Sequence, residues 1–239
     1  MEMIRGCFCT TLAAAMLAFV PAAGNAQVIA PNVKMDERQA VALRSLGFAV
    51  TNLVIALDGV EPGSNAYQAL SLLRVQVEML ERRVSSRQFL IDQDNAALFE
   101  AYARLFSEFS RVSLDPAMLQ IVDAALHDFS VKNRFASSRA ALLGQENSLL
   151  VKVTVDSVSK AGLAVAGYEV TATPVAMARR GMWLFPFSSL TNDAVRLVPP
   201  GLYEFRVRRN GSLVGSNTFS VGERGTGAER KVIIVEESE

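Results

Sequence analysis

A change of hydrophobic period near Gly144–Asn147 constrains this chain more than any other feature. From about residue 35 to 146 apolar residues recur at helical spacing, and from about 149 to 236 they alternate every second residue. A segment patterned for one period cannot bury its apolar face in the other, so the switch separates two kinds of structure. The expected fold class is α+β with two domains: an N-terminal antiparallel four-helix bundle over 27–146, then a small antiparallel β-sandwich over 147–239. The chain's 239 residues are enough for a core in each.

Four segments make up the helical half. Asp36 with Gln39 forms an N-cap and capping-box signature ahead of Val41, Leu46, Val50, Leu53, Val54 and Leu57. Leu70, Leu73, Val77, Leu80 and Val84 follow at spacings of 3 and 4, an a/d seam. A third helix begins near Asp94 or Asn95 with a seam of Leu98, Tyr102, Leu105, Phe109 and Val112. Asp115 and Pro116 open a fourth, lined by Leu119, Val122, Leu126 and Phe129. Lys132-Asn133-Arg134 weakens that pattern, and Gly144 suits a C′ stop.

In the second half Leu149, Val151, Val153 and Val155 share one face, as do Tyr168, Val170 and Ala172, and Tyr203, Phe205 and Val207. The hairpin at Asn210-Gly211 tests register. A two-residue loop would set Tyr203 against Thr218 and turn Phe219 and Val221 outward. A three-residue loop, Arg209-Asn210-Gly211, with a G1 bulge at Gly211 returns both to the core and is the expected form. Val232–Val235 is the last strand, and six or seven short strands over about 90 residues imply a sandwich.

Val198-Pro199-Pro200-Gly201-Leu202-Tyr203-Glu204-Phe205 is a Pro-Pro-Gly turn running into an alternating aromatic strand. With Gly167-Tyr168-Glu169-Val170-Thr171-Ala172, it resembles the carboxypeptidase regulatory-like (transthyretin-like) sandwiches and the PEGA-type modules over about residues 149–236. The Asp-x-x-Gly-x-Phe segment common before that turn is replaced here by Thr191-Asn192-Asp193-Ala194-Val195. The resemblance implies a non-catalytic module for packing or attachment to carbohydrate or envelope partners, and no motif residue carries over as a site.

The first residues read as a bacterial export signal: Arg5, the apolar run Thr11–Val20, then small residues with cleavage expected between Ala26 and Gln27. The signal peptide would span 1–26 and remove both cysteines, Cys7 and Cys9, leaving no disulfide and no transmembrane span. The expected location is the periplasm or the medium. Lys and Arg number 24 against 24 Asp and Glu, which excludes the basic footprint of a nucleic-acid binder.

Catalytic sets are incomplete. His127, with Asp123 four residues earlier, has no nucleophile placed near it. Asp92-Gln93-Asp94-Asn95 opens like a calcium loop but has Ala97 where the turn glycine belongs and Ala103 for the bidentate carboxylate. Ser157-Val158-Ser159-Lys160 matches S-x-x-K without its partner motifs. No catalytic residue, metal or cofactor is expected. The expected partner contacts are Trp183, Phe185 and Phe187 of the densest aromatic run, with Arg179, Arg180, Arg206 and Arg208 as polar support. The chain reads as an exported binding or assembly module taking a protein or envelope polysaccharide. The alternatives are a carboxylate-based hydrolase with a site between the domains, or a structural subunit pairing through the Leu70–Val84 seam.

Overall fold

A computed structural model describes residues 36–141, 150–182, 184–223 and 227–236. The export signal, the Ala26/Gln27 cleavage site and the boundary at Gly144–Asn147 lie outside the described residues. Four helices come first: α1 (Glu37–Asp58), α2 (Asn65–Ser85), α3 (Gln93–Phe109) and α4 (Pro116–Ala141). Strands β1 (Val151–Ser159), β2 (Ala164–Val165) and β3 (Glu169–Pro174) follow, then a short helix α5 (Val175–Ala178). Strands β4 (Phe185–Pro186), β5 (Ala194–Val198), β6 (Gly201–Arg209), β7 (Ser212–Val221) and β8 (Ala228–Val235) complete the order.

Each long helix starts where a short polar side chain satisfies a free backbone N–H. Ser64 accepts from Tyr67, Asp92 from Asn95 and Asp115 from Met118. Asp36 caps α1 by accepting from the Arg38 N–H, but the expected capping box does not close. Gln39 turns inward instead and donates to the Val84 carbonyl at 2.5 Å.

The α2 seam is buried as the spacing predicts, with Leu70, Leu73, Val77, Leu80 and Val84 all fully inaccessible. On α1 the core stripe runs through Ala42, Leu46, Ala49, Leu53, Ala56 and Leu57, while Val54 faces solvent. Alanines carry half of that stripe because a small side chain lets neighbouring helices approach closely. Val112 lies beyond the end of α3 and is exposed. On α4 the pattern does not weaken at Lys132: the helix continues to Ala141, with Lys132 and Asn133 buried.

Two four-stranded sheets form the sandwich. In one, β1 pairs antiparallel with β5 over Val151–Val155 and with β2 over Ser157–Val158. The second runs β4-β3-β6-β7, antiparallel throughout. One pair departs from the expected antiparallel sandwich: β8 lies parallel to β1, from Lys152 opposite Ala228 to Ser159 opposite Val235.

The hairpin gives the expected facing residues by a different device. Arg209 pairs with Ser212, so the loop is two residues, with Asn210 and Gly211 both at positive φ as a type I′ turn requires. The extra residue enters as a bulge two positions into the ladder, between Val207 and Arg208, and brings Phe219 opposite Tyr203 and Val221 opposite Gly201.

The helical and sheet regions share one contiguous apolar core, and the described residues form a single compact unit. α1 is long and apolar enough to cross a membrane by length and composition, yet Leu46 and Leu53 on it are fully buried in the bundle.

Candidate functional site

The described aromatics of the run that the sequence offers for partner contact, Phe185 and Phe187, pack against the sandwich's own rings. Trp183 lies outside the described residues. Phe185 is 3% exposed, its ring 5.8 Å from that of Tyr203, and the Arg196 guanidinium carbon lies 5.6 Å from its centroid. That corrects the expectation for Phe185, because strand alternation sends its side chain between the sheets. Arg179 donates to Gln120 on α4, and Arg180 pairs with Glu108 on α3. These two arginines therefore hold the segment after α5 against the helices. Arg206 Nε sits 2.6 Å from Glu204 Oε1 on the same strand.

A buried ionic junction with no signal in the sequence pattern joins α3, α4 and β6. Asp128 and Lys132 stand one helical turn apart on α4, 1% and 0% exposed, and form an ion pair. The Tyr102 hydroxyl from α3 donates to the same carboxylate oxygen as Lys132. The other oxygen, Oδ1, accepts the Leu202 N–H at the start of β6 at 2.8 Å. Burial pushes the Tyr102 and Tyr203 hydroxyls well above their ordinary range, and the Asp128 charge adds to both. Burial lowers Lys132, and the attraction of Asp128 offsets part of that. Gly201 makes the approach possible: a Cβ there would stand 1.8 Å from Asp128 Oδ1. The Pro-Pro-Gly turn is thus the surface that the bundle's carboxylate reads.

Two of the expected contact residues do meet in an open site. A shallow groove of about 490 Å3 runs beside β3, lined by Glu169, Thr171, Pro186, Phe187, Ser188, Ser189, Leu190 and Arg208 among others. The strand ladder places Glu169 opposite Arg208. The Phe187 N–H donates to the Val170 carbonyl at 2.9 Å, which extends β4 by one residue and fixes the groove wall. Phe187 is half-buried, with its ring 6.3 Å from Phe205, so the groove floor rests on the sandwich core. Leu190 is 49% exposed at the rim. One carboxylate, one guanidinium, three hydroxyls and an apolar floor suit a partner with both apolar and hydrogen-bonding surface.

The remaining candidates are placed as follows. His127 is exposed on α4. The Ser157 hydroxyl is spent between the Val165 carbonyl at 2.6 Å and Thr191 Oγ1 at 2.8 Å, while Lys160 pairs with Glu236 at 2.9 Å. Asp92 caps α3, its carboxyl raised by burial, and Asp94 faces Arg196 of β5 at 3.5 Å. Among the described residues no cluster of three or more His, Cys, Asp or Glu side chains could hold a metal. Comparison with protein-family models, curated proteins and solved structures finds no match.

Proposed function

We propose that this chain is an exported, non-catalytic binding or assembly module of the bacterial envelope that takes its partner in the groove beside β3. The observation that carries this reading is the convergence of Phe187 and Arg208 on one open, amphipathic groove with Glu169, Thr171, Ser188 and Ser189. The resemblance of 149–236 to carboxypeptidase regulatory-like modules, whose role is attachment, supports it. So does the firm seating of the groove: Phe187 rests on Phe205, and the bundle braces the same sandwich through Asp128. Rigid backing keeps a recognition surface in one geometry and lowers the entropy cost of binding.

The test is retention of envelope components on the immobilised protein, compared with a Ser189→Arg/Leu190→Arg variant. Both positions are exposed, so the variant fills the groove without touching the core. Loss of the retained component with an unchanged circular dichroism spectrum supports the reading. Equal retention by both proteins would move the binding surface elsewhere.

A further inference from the structure

From the outer face of α1 we infer a self-association surface: two copies of this chain pair through antiparallel α1 helices about a two-fold axis at Thr51. Arg44, Phe48, Thr51, Ile55 and Asp58 follow one another at spacings of 4, 3, 4 and 3, and all five are exposed. That is the spacing of a helix-pairing seam. Phe48 and Ile55 stand 57% and 51% exposed at its centre. The seam on α2 that the sequence suggests for outside pairing is wholly consumed within the bundle. α1 therefore carries two apolar stripes, one facing the core and one facing outward, which explains why its composition matches that of a membrane span.

The seam is complementary to itself. With a second α1 laid antiparallel and Thr51 on the axis, Phe48 meets the other copy's Ile55, and Arg44 meets its Asp58. A two-fold contact repeats each pairing, so two apolar pairs are flanked by two opposite-charge pairs. Asp58 is the last helical residue, and α1 has no basic residue in its final turn. A carboxylate there opposes the helix dipole, and an arginine from the second copy supplies the missing cation. Beside Arg44 and Phe48, a hollow of about 310 Å3 lined also by Glu100, Ala103 and Arg104 offers room for the incoming helix end.

Sedimentation velocity on the purified chain at about 100 μM, where even modest affinities register, is the test. The wild type sediments as a dimer. Arg44→Asp and Asp58→Arg, made singly, each set like charges together twice and weaken association at least about tenfold. The double reversal restores it, an outcome that general damage to α1 could not produce. A monomeric wild type, single variants that associate normally, or a double variant that stays monomeric would each overturn the inference. So would a monomer that binds phosphatidylcholine vesicles and loses that binding with Phe48→Glu, since the face would then meet a bilayer.

Discussion

The bundle and the sandwich bury different kinds of polar group. Among the described residues the helices enclose amides and charges, namely Gln39, Asn52, Asn95, Asp128, Lys132 and Asn133, beside the single hydroxyl of Ser45, whereas the sandwich encloses the hydroxyls of Ser157, Thr173 and Thr191. The difference follows from where backbone hydrogen bonds go. Helices satisfy their backbones internally, so nothing in the main chain fixes how one helix sits against another. Strands register through the ladder itself. Side-chain amides supply the missing direction in the bundle: Gln39 reads the Val84 carbonyl, Asn52 that of Ala103 and Asn133 that of Gln76. Asp128 extends the same device across to β6.

The comparison breaks if polar groups in the two regions prove equally costly to remove. The largest effect expected is from Asp128→Ala, which strands the Lys132 charge in the core and should cost about 3–5 kcal/mol in urea unfolding. Replacing the pair together, Asp128→Leu with Lys132→Met, should recover much of that loss, because no buried charge remains. Gly201→Ala pushes a methyl group into the same carboxylate and should cost about 3 kcal/mol. If it is tolerated, the junction is looser than the bundle's amides imply.

Asn133→Ala should cost about 2 kcal/mol, since the Gln76 carbonyl loses its donor, against about 1 kcal/mol for Ser157→Ala. Equal values from calorimetry would erase the contrast. Tyr203→Phe should cost less than about 1 kcal/mol at neutral pH, because the buried hydroxyl has no hydrogen-bond partner among the described residues. It should also flatten the alkaline limb. Tyr102 and Tyr203 titrate above their ordinary value of 10.0 in the folded chain. Their contribution is whole below that pH and is lost as pH climbs toward the folded values. Lys132 is lowered from 10.5 and acts with the opposite sign below that pH. Above 10.5, therefore, stability should fall less steeply in Tyr203→Phe than in the wild type when melts are followed against pH.

How much was legible in the sequence depends on whether each residue type told the truth about its surroundings. The α2 seam did, because leucine and valine at spacings of 3 and 4 have one natural destination. The α1 stripe is not the one its valines suggest, since half of its buried apolar positions are alanines. The continuation of α4 was hidden because Lys132 occupies a core position, and a charged residue there reads as surface. The hairpin's facing residues were legible from burial, but its bulge was not: alternation says that a residue must be absorbed, not where. The groove was half visible through Phe187 and Arg208. Its other walls come from Ser188–Leu190, which follow Phe187 in the chain, and from Glu169 and Thr171, which the β3–β4 and β3–β6 pairings bring alongside.

The pairing of β8 with β1 has a consequence for the order of assembly. The first strand of the sandwich waits for the last, and α4's carboxylate waits for the Leu202 N–H, 74 residues further along the chain. Helices formed early on local contacts therefore carry an uncompensated acceptor until β6 docks. Pairing β1 with β8 closes a long loop, and contacts of such sequence separation are slow to form. Truncation before Ala228 would remove β8 whole and leave that side of β1 an unpaired edge, the form in which such a chain aggregates.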